Sequence, residues 1–226
     1  MISIILYTSG KDREIFSTLQ SIRDLQFKDY ELVIVCNGCT SDVLNDMKIV
    51  EAKTIAFKTF KSPGLAKNEA VARAKNELLL FVDSGIKLQE GIIEEIIKTK
   101  NNWVVGTCKI KTQEDKQDYA KMYEFINKFL IPYGFDIGLV FCKKTTFEVL
   151  GKYDLNLLNN LNKEIIKRFK KMGKFLIIDT PIVYPTRDFE NKKGMALYAI
   201  SLKKFFSGRK QEDILEEGII QKEEEL

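Results

Sequence analysis

Hydrophobic positions in the first 110 residues follow two alternating spacings. Short, nearly continuous apolar runs at 2–7, 31–35 and 78–82 are typical of strands buried on both faces, and weaker runs predict strands at 54–57 and 103–110. Between these runs, apolar side chains recur every three or four residues, which predicts helices after Ile15, after Thr40, from Pro63 and over 91–98. This alternation predicts an α/β fold: a mainly parallel sheet with helices on both faces and a Rossmann-like first half.

The second half of the chain is less regular. Its pattern predicts helices at 119–131 and 161–172 and strands at 137–142 and 175–178. We therefore expect one domain over residues 1–190, with a nucleotide-binding half at 1–110 and an acceptor-side half at 111–190. Residues 191–226 are expected to add an amphipathic helix at 194–206 and an acidic tail.

Polar side chains stand where three of the predicted strands end. Thr8 and Ser9 follow the first strand, Cys36 and Asn37 follow the second, and Asp83 ends the run at 78–82. Ligands of open parallel sheets bind outside the carboxyl ends of the strands. The sequence therefore predicts that these segments converge on one cleft.

Composition narrows the chemistry that such a cleft can support. The 226 residues include no histidine, which excludes histidine triads, Cys-His dyads and histidine metal ligands. The net charge is +4, but residues 212–226 carry seven acids and one base, so residues 1–211 carry a net charge of +10. A basic body favours phosphate-bearing ligands, although a solvated lysine-rich surface explains the excess equally well.

Four cysteines leave a second chemistry open. Cys36 and Cys39 form a Cys-x-x-Cys pair that invites a redox or zinc interpretation, but Cys108 and Cys142 stand apart, so four close zinc ligands are not available. The chain begins with a strand-like segment and has no apolar stretch of the roughly 18 residues that a membrane span requires. We therefore expect a cytoplasmic protein with reduced thiols.

Seven segments in sequence order resemble the family 2 glycosyltransferases, which have the GT-A fold. The segments are SIILYT (3–8), LQSI (19–22), VIVCNGCTSD (33–42), PGLAKNEA (63–70), LLFVDSG (79–85), the stretch FCKK…GKYD within 141–154, and RDFE…G (187–194). Together they cover about residues 1–190. The resemblance implies a GT-A fold and an inverting transfer of a sugar from a nucleoside-diphosphate sugar to a glycan or lipid-phosphate acceptor.

The resemblance also implies which residues take part. It assigns nucleotide-sugar binding to the following positions: Thr8, Ser9, Cys36, Asn37, Gly64, Lys67, Asp83, Gly85 and Arg187. Mg²⁺ or Mn²⁺ would be held by Asp83, although Gly85 stands where the family has the last Asp of its Asp-x-Asp motif. Asn162 occupies the place of the catalytic base, and Glu164 is the nearest carboxylate along the chain.

These substitutions leave a second function open. With Cys36, Gly85 and Asn162 where the family has carboxylates, the chain is also interpreted as a catalytically degenerate nucleotide-sugar-binding protein or partner subunit. A nucleotidyltransferase is disfavoured because no Gly-rich, Lys-containing loop follows the first strand, and a nucleic-acid partner because the basic residues are scattered. Contact of the 194–206 helix with the inner membrane face and a homodimer both remain open.

Overall fold

The structure, a computed structural model, describes residues 1–10, 12–47, 52–99, 103–112 and 117–185. The strands are β1 (Ile2–Ser9), β2 (Tyr30–Asn37), β3 (Lys53–Phe57), β4 (Leu78–Asp83), β5 (Val105–Lys111), β6 (Leu139–Lys143) and β7 (Phe175–Val183). The helices are α1 (Ile15–Asp24), α2 (Ser41–Met47), α3 (Pro63–Arg73), α4 (Ile92–Thr99), α5 (Gln117–Phe125), α6 (Lys144–Val149) and α7 (Leu161–Phe169).

The strands form one mixed, mostly parallel sheet of seven strands in the order β3-β2-β1-β4-β6-β5-β7. Strands β1 to β4 are mutually parallel, and β5 is parallel to β7. Strand β6 runs antiparallel to both of its neighbours, β4 and β5. The beginning of β6 therefore lies at the same edge of the sheet as the carboxyl ends of β1, β2 and β4.

Helices cover both faces of the sheet, as the apolar runs predict. Successive side chains of a strand point to opposite faces, and in β1 Ile4 and Leu6 enter the core beneath α1, α2, α4 and α5, whereas Ile5 enters the core beneath α3, α6 and α7. All three side chains are at most 1% exposed. Burial on both faces explains why β1, β2 and β4 appear in the sequence as continuous apolar runs.

The predicted strands and helices within the described residues are confirmed, with differences at some of their ends. The helix predicted at 119–131 is α5 followed by a π turn at Ile126–Leu130 and a 3₁₀ turn at Ile131–Tyr133. Pro132 has no N–H to continue an α-helix, and Gly134, with φ of 89°, ends the turn. Strand β7 extends five residues beyond the predicted 178 because it pairs with β5 past an irregularity between Cys108 and Ile110.

The helices of the second half differ further from the prediction. Helix α6 was not predicted, and the helix predicted at 161–172 ends at Phe169. The amphipathic helix predicted at 194–206 and the acidic tail lie outside the described residues. Within the described residues, no helix is long and apolar enough to cross a membrane.

Helix α3 begins where its sequence predicts. The Ser62 side chain accepts a hydrogen bond from the backbone N–H of Leu65 (3.2 Å), and Pro63 occupies the first turn, where its missing N–H costs nothing. The helix then packs Ala66 and Ala70 against the sheet. This packing brings Lys67, one position after Ala66, to the end of β4.

Candidate functional site

A cleft of about 420 Å³ opens at the edge of the sheet where β1 and β4 end. Parallel pairing sets Tyr7 opposite Asp83, so the last residues of both strands face the same space. A second wall comes from the segment before β6 and from the start of α7. The side chains that line the cleft are Tyr7, Thr8, Ser9, Asp12, Phe60, Pro63, Lys67, Asp83, Ser84, Asp136, Leu158, Asn159, Asn160, Leu161 and Asn162.

A buried ammonium group lies at the floor of the cleft. Lys67 is 3% exposed, and its Nζ lies 2.7 Å from Oδ1 of Asp83. The same Nζ lies 5.2 Å from the ring centroid of Tyr7 and 5.5 Å from that of Tyr153, within the range of cation–π attraction. Because a buried charge is stable only when it is paired, Asp83 and these two rings are what permit a lysine here.

An amide connects this pair to a second carboxylate. Oδ1 of Asn162 accepts a hydrogen bond from the Tyr153 hydroxyl (2.8 Å), so its Nδ2 points toward Asp136 and Asp83. Nδ2 donates to Oδ1 of Asp136 at 3.0 Å and more weakly to Oδ2 of Asp83 at 3.4 Å. The opposite amide orientation would place an oxygen against two carboxylates, which only accept hydrogen bonds when ionised, so the surroundings fix this one.

Asp136 is partly buried, and the charges around it shift its pKa. Burial, together with the negative charge of Asp83, raises the pKa of the Asp136 carboxyl, although hydrogen bonds from Asn162 and Gly138 and the charge of Lys67 act in the opposite direction. Burial and the charges of Asp83 and Asp136 also raise the pKa of Tyr153 well above its usual value. Tyr153 is therefore a neutral hydrogen-bond donor at physiological pH.

Five of the residues predicted to bind or act on a ligand line this cleft: Thr8, Ser9, Lys67, Asp83 and Asn162. Five other predicted residues do not: Cys36, Asn37, Gly64, Gly85 and Glu164. Cys36 and Asn37 are both 0% exposed, and Asn37 exchanges two hydrogen bonds with the backbone of Lys61 and donates one to the Tyr7 hydroxyl. The nucleotide contacts expected of them have no support in this geometry: Cys36 packs in the core, and Asn37 is bonded to the segment before α3.

Gly64 and Gly85, the two predicted glycines, make contacts within the protein. A Cβ at Gly64 would lie 2.4 Å from the carbonyl oxygen of Asp154, so this glycine permits close approach between α3 and the loop before α7. The N–H of Gly85, which has φ of 91°, donates to Oγ1 of Thr18 within the protein. Neither glycine lines the cleft.

The last two predicted residues are Glu164, which lies outside the cleft, and Arg187. Glu164 does not line the cleft, because its carboxylate forms a two-bond ion pair with Arg168 at 2.8 and 2.9 Å. Its predicted role as the nearest substitute for a base therefore has no support in this geometry. Arg187 lies outside the described residues.

The sequence interpretation missed Asp12 and Asp136. Asp12 follows β1 and accepts hydrogen bonds from the N–H of Glu14 and from Oγ1 of Thr8. Asp136 precedes β6, and a carboxylate that precedes a strand is placed at the ligand-binding edge only when that strand runs antiparallel to the others. The apolar run at 137–142 does not reveal its direction, so the sequence contains no signal that singles out Asp136.

The donor set of the cleft does not fit a protein-held Mg²⁺ or Mn²⁺. Oδ1 of Asp83 faces the ammonium of Lys67, and Oδ1 of Asp136 accepts from the N–H of Gly138 (2.8 Å) and the amide of Asn162. These oxygens face N–H donors, whereas a metal needs them to converge with free lone pairs. In the described part of the chain, no group of three or more Cys, Asp or Glu side chains is placed to hold a metal ion.

The structure raises the pKa of three of the four cysteine thiols. All four are free and buried. Cys36 donates a hydrogen bond to Cys39; this bond and burial raise the pKa of the Cys36 thiol, whereas the same bond lowers the pKa of Cys39. Burial raises the pKa values of Cys108 and Cys142. Thiols held protonated are poor nucleophiles, which applies to Cys36, Cys108 and Cys142. Cys39 is only 8% exposed and does not line the cleft.

Comparison with known proteins identifies the fold. No family profile and no curated protein matches the chain. Among solved structures, it is similar to the mannosyltransferase PcManGT from Pyrobaculum calidifontis in complex with GDP-Man and Mn²⁺, with a TM-score of 0.70 and 14% identity over 92% of this chain and 65% of that one. It is also similar to S. aureus TarS 1-349 in complex with UDP-GlcNAc, with a TM-score of 0.64 and 17% identity over 81% of this chain and 57% of that one.

A third similar structure, GalNAc-T7 with UDP, GalNAc and Mn²⁺, has a TM-score of 0.62 and 12% identity over 81% of this chain and 43% of that one. The chain thus spans less than two thirds of the length of each of these three structures. At these identities the likeness concerns the fold. The chain has the GT-A-like α/β fold of these glycosyltransferases, with its cleft at the carboxyl ends of β1 and β4.

Proposed function

We propose that this protein is a glycosyltransferase that moves a sugar from a nucleoside-diphosphate sugar to a hydroxyl of a glycan or lipid-phosphate acceptor, with inversion. The observation that carries the proposal is the cleft itself. It joins hydroxyl groups (Thr8, Ser9), a buried ion pair (Lys67 with Asp83) and a second carboxylate (Asp136) at the edge where α/β sheets bind ligands. The structures that share the fold were solved with GDP-Man, UDP-GlcNAc and UDP, which supports a donor of this class.

The charge of the donor diphosphate needs a partner in the cleft. Lys67 is the sole lysine or arginine among the described residues that line the cleft, so we propose that its ammonium faces the diphosphate. A preorganised charge of this kind stabilises the negative charge that develops on a leaving phosphate. Arg187, which lies outside the described residues, remains the second candidate from the sequence.

Mg²⁺ and Mn²⁺ have a smaller role in this proposal than the similar structures suggest. Two of those structures contain Mn²⁺. Because the carboxylates of this cleft already face an ammonium and an amide, we expect nucleotide binding to change little when Mn²⁺ is added or removed with EDTA. A donor whose binding requires Mn²⁺ would show that the carboxylates rearrange around the metal.

The degenerate binding protein remains the second candidate function. Gly85 and Asn162 favour it, because neither can replace the metal-binding and proton-accepting carboxylates that the resemblance assigns to their positions. Measurable turnover by the wild-type protein would exclude it. Contact with a membrane surface and a homodimer also stay predictions, because both depend on the segment 191–226, which lies outside the described residues.

Two measurements on the full chain test the proposal. A thermal-shift series with UDP, GDP, UDP-glucose, UDP-GlcNAc and GDP-mannose should raise the melting temperature for at least one nucleotide, since a ligand that binds only the folded state stabilises it. Release of UDP or GDP from the bound donor, with water as the acceptor, then measures turnover. A protein that neither binds nor hydrolyses any of these donors, with or without Mn²⁺, contradicts the proposed function.

Asp83→Ala with a matched control locates the binding. Removal of this carboxylate takes away the partner that positions the Lys67 ammonium, so the thermal shift should largely disappear. Asp179→Ala removes a carboxylate that is 84% exposed on β7 and should leave the shift intact. Equal shifts in both variants would place the nucleotide elsewhere.

A further inference from the structure

Asp136 is fixed in the cleft by groups from two separate segments. Its Oδ1 accepts hydrogen bonds from the N–H of Gly138 (2.8 Å) and from Nδ2 of Asn162 (3.0 Å). The carbonyl of Gly138, which has φ of 71°, also accepts a hydrogen bond from the N–H of Asp83 at 2.8 Å. The carboxylate therefore has a defined position against the end of β4, on the wall of the cleft opposite β1.

Asn162 occupies the position where the resemblance expects a proton acceptor, but an amide has no basic lone pair at neutral pH. The structure places the oxygen of Asp136 one hydrogen bond from that amide, at 3.0 Å. A carboxylate, the group that Asn162 lacks, therefore lies beside it and comes from a segment 26 residues earlier in the chain.

We propose that Asp136 accepts the proton of the attacking hydroxyl during glycosyl transfer. This inference rests on the proposed function. The hydroxyl oxygen forms a bond to the anomeric carbon while its proton moves to a carboxylate oxygen of Asp136. The bond from the anomeric carbon to the diphosphate oxygen breaks, and the nucleoside diphosphate leaves with that electron pair. Protonated Asp136 then returns its proton to solvent.

The electrostatics around Asp136 suit this role. The groups that face it are Asp83 on β4, Lys67 on α3, Tyr153 in the loop before α7, and Asn162 on α7. Burial and the charge of Asp83 raise the pKa of Asp136, and a carboxylate of raised pKa is a stronger base. Tyr153 is neutral, so the local charges are those of the two carboxylates and the one ammonium.

The other carboxylates at or near the cleft are less suitable. Asp83 is paired with the ammonium of Lys67 at 2.7 Å. Asp12 accepts hydrogen bonds from the N–H of Glu14 at 2.9 Å and from Oγ1 of Thr8 at 3.4 Å, on the wall formed by β1. Glu164 is held by Arg168 outside the cleft. Asp83 also lines the cleft and contacts Asn162, but at 3.4 Å and with Lys67 as its ion-pair partner. Asp136 lines the cleft and has the shorter contact with the expected base position, at 3.0 Å.

The first test is Asp136→Asn. The new side chain keeps an oxygen that can accept from Gly138 and Asn162, so the local structure should persist while the proton acceptor is lost. We expect kcat for hydrolysis of the best-bound UDP or GDP sugar to fall by about 10²–10⁴-fold, with the dissociation constant for UDP or GDP changed less than about threefold. Asp179→Asn, an exposed carboxylate on β7, is the matched control and should retain wild-type kcat.

A double variant separates chemistry from structure. Asp136→Asn combined with Asn162→Asp exchanges the two side chains across one hydrogen bond and returns a carboxylate to the cleft. It should recover at least about tenfold of the lost kcat, because general-base catalysis depends on the position of the carboxylate. The low-pH limb of the kcat profile, absent in Asp136→Asn, should return at a different pH.

Three results would overturn the inference. Asp136→Asn with wild-type kcat would show that no proton passes to this residue. Equal losses of kcat and nucleotide affinity, without recovery in the double variant, would assign Asp136 a structural role. Wild-type protein that turns over none of the sugar nucleotides would remove the proposed function and this inference with it, which distinguishes that failure from the other two.

Discussion

The two walls of the cleft are built in different ways. The first wall consists of Tyr7, Thr8, Ser9, Lys67 and Asp83, which lie at the ends of β1 and β4 and on α3. The second wall consists of Asp136 and residues 158–162, which lie in irregular segments before β6 and at the start of α7. Regular elements fix the first wall, whereas the second includes Asn160 with φ of 57° and is adjoined by Gly138 with φ of 71°.

The residues of the two walls are positioned by different kinds of interaction. A residue of the first wall is placed by a strand or helix whose pattern is visible in the sequence. A residue of the second wall is placed by contacts with the first: Asn68 exchanges hydrogen bonds with the backbone of Tyr153 at 2.9 and 3.0 Å, and Asn162 reaches Asp83. The predictions below test how strongly the two walls depend on each other.

The largest effect is expected at the core that both walls share. Phe81 on β4 is fully buried, and its ring centroid lies 5.5 Å from that of Phe147 and 5.2 Å from that of Tyr153, both in the second half of the chain. Phe81→Ala should lower the free energy of unfolding by about 3–5 kcal/mol, measured by urea denaturation. Phe60→Ala, at a position 58% exposed, should change it by less than about 0.5 kcal/mol. Separate unfolding transitions for the two halves would contradict a shared core.

Removal of the buried ammonium should have the next largest effect. Lys67→Met keeps the length of the side chain but leaves Asp83 without its cation. Breaking a fully buried pair costs about 3–5 kcal/mol, and because the Asp83 side chain is 34% exposed, we expect about 2–4 kcal/mol in urea denaturation.

The matched control for Lys67 is Lys109→Met. The Lys109–Asp179 pair is also close, at 2.5 Å, but its side chains are 45% and 84% exposed. Solvent screens such pairs, so its loss should cost at most about 1 kcal/mol. Equal costs for the two substitutions would mean that the Lys67–Asp83 pair is no more protected from water than a surface pair.

A smaller effect is expected where α3 of the first half meets the loop before α7. Gly64→Ala places a Cβ 2.4 Å from the Asp154 carbonyl oxygen, and one of the two backbones must move. The better helix propensity of Ala offsets part of this, so we expect a loss of about 1–3 kcal/mol by urea denaturation. Ala72→Ser, on the exposed side of the same helix, should cost no more than about 0.5 kcal/mol. Unchanged stability in Gly64→Ala would show that the second wall adjusts freely.

The smallest effect concerns pH. Burial and the charge of Asp83 raise the pKa of Asp136 in the folded state, so the folded protein binds this proton more tightly than the unfolded chain. The associated stabilisation is fully present below the unfolded pKa of about 4 and is lost as the pH rises through the higher folded value. Asp136→Asn lacks this term, so its stability relative to wild type should increase with pH. Melting temperatures of both proteins between about pH 4 and 8 measure it, and a constant difference would contradict the raised pKa.

Particular residues show how far sequence reasoning reaches. Thr8, Ser9 and Asp83 are predicted because they end or follow apolar runs typical of buried strands, whereas Lys67 is assigned only by the resemblance of the segment 63–70 to the family. Asn37 is predicted from the same kind of position, yet its side-chain amide forms two hydrogen bonds with the backbone of Lys61 instead of facing the cleft. A strand end is visible in the sequence, but the partner that a polar side chain finds there is not.

The sequence by itself determined the strands and helices of the first half and the edge of the sheet at which the cleft forms. These follow from apolar spacing and helix capping, which are local properties of the chain. Only the tertiary structure decided that β6 runs antiparallel between β4 and β5, which brings Asp136 beside Asp83 and Asn162. The direction of a strand within a sheet depends on contacts between residues distant in sequence, and local spacing carries no record of them.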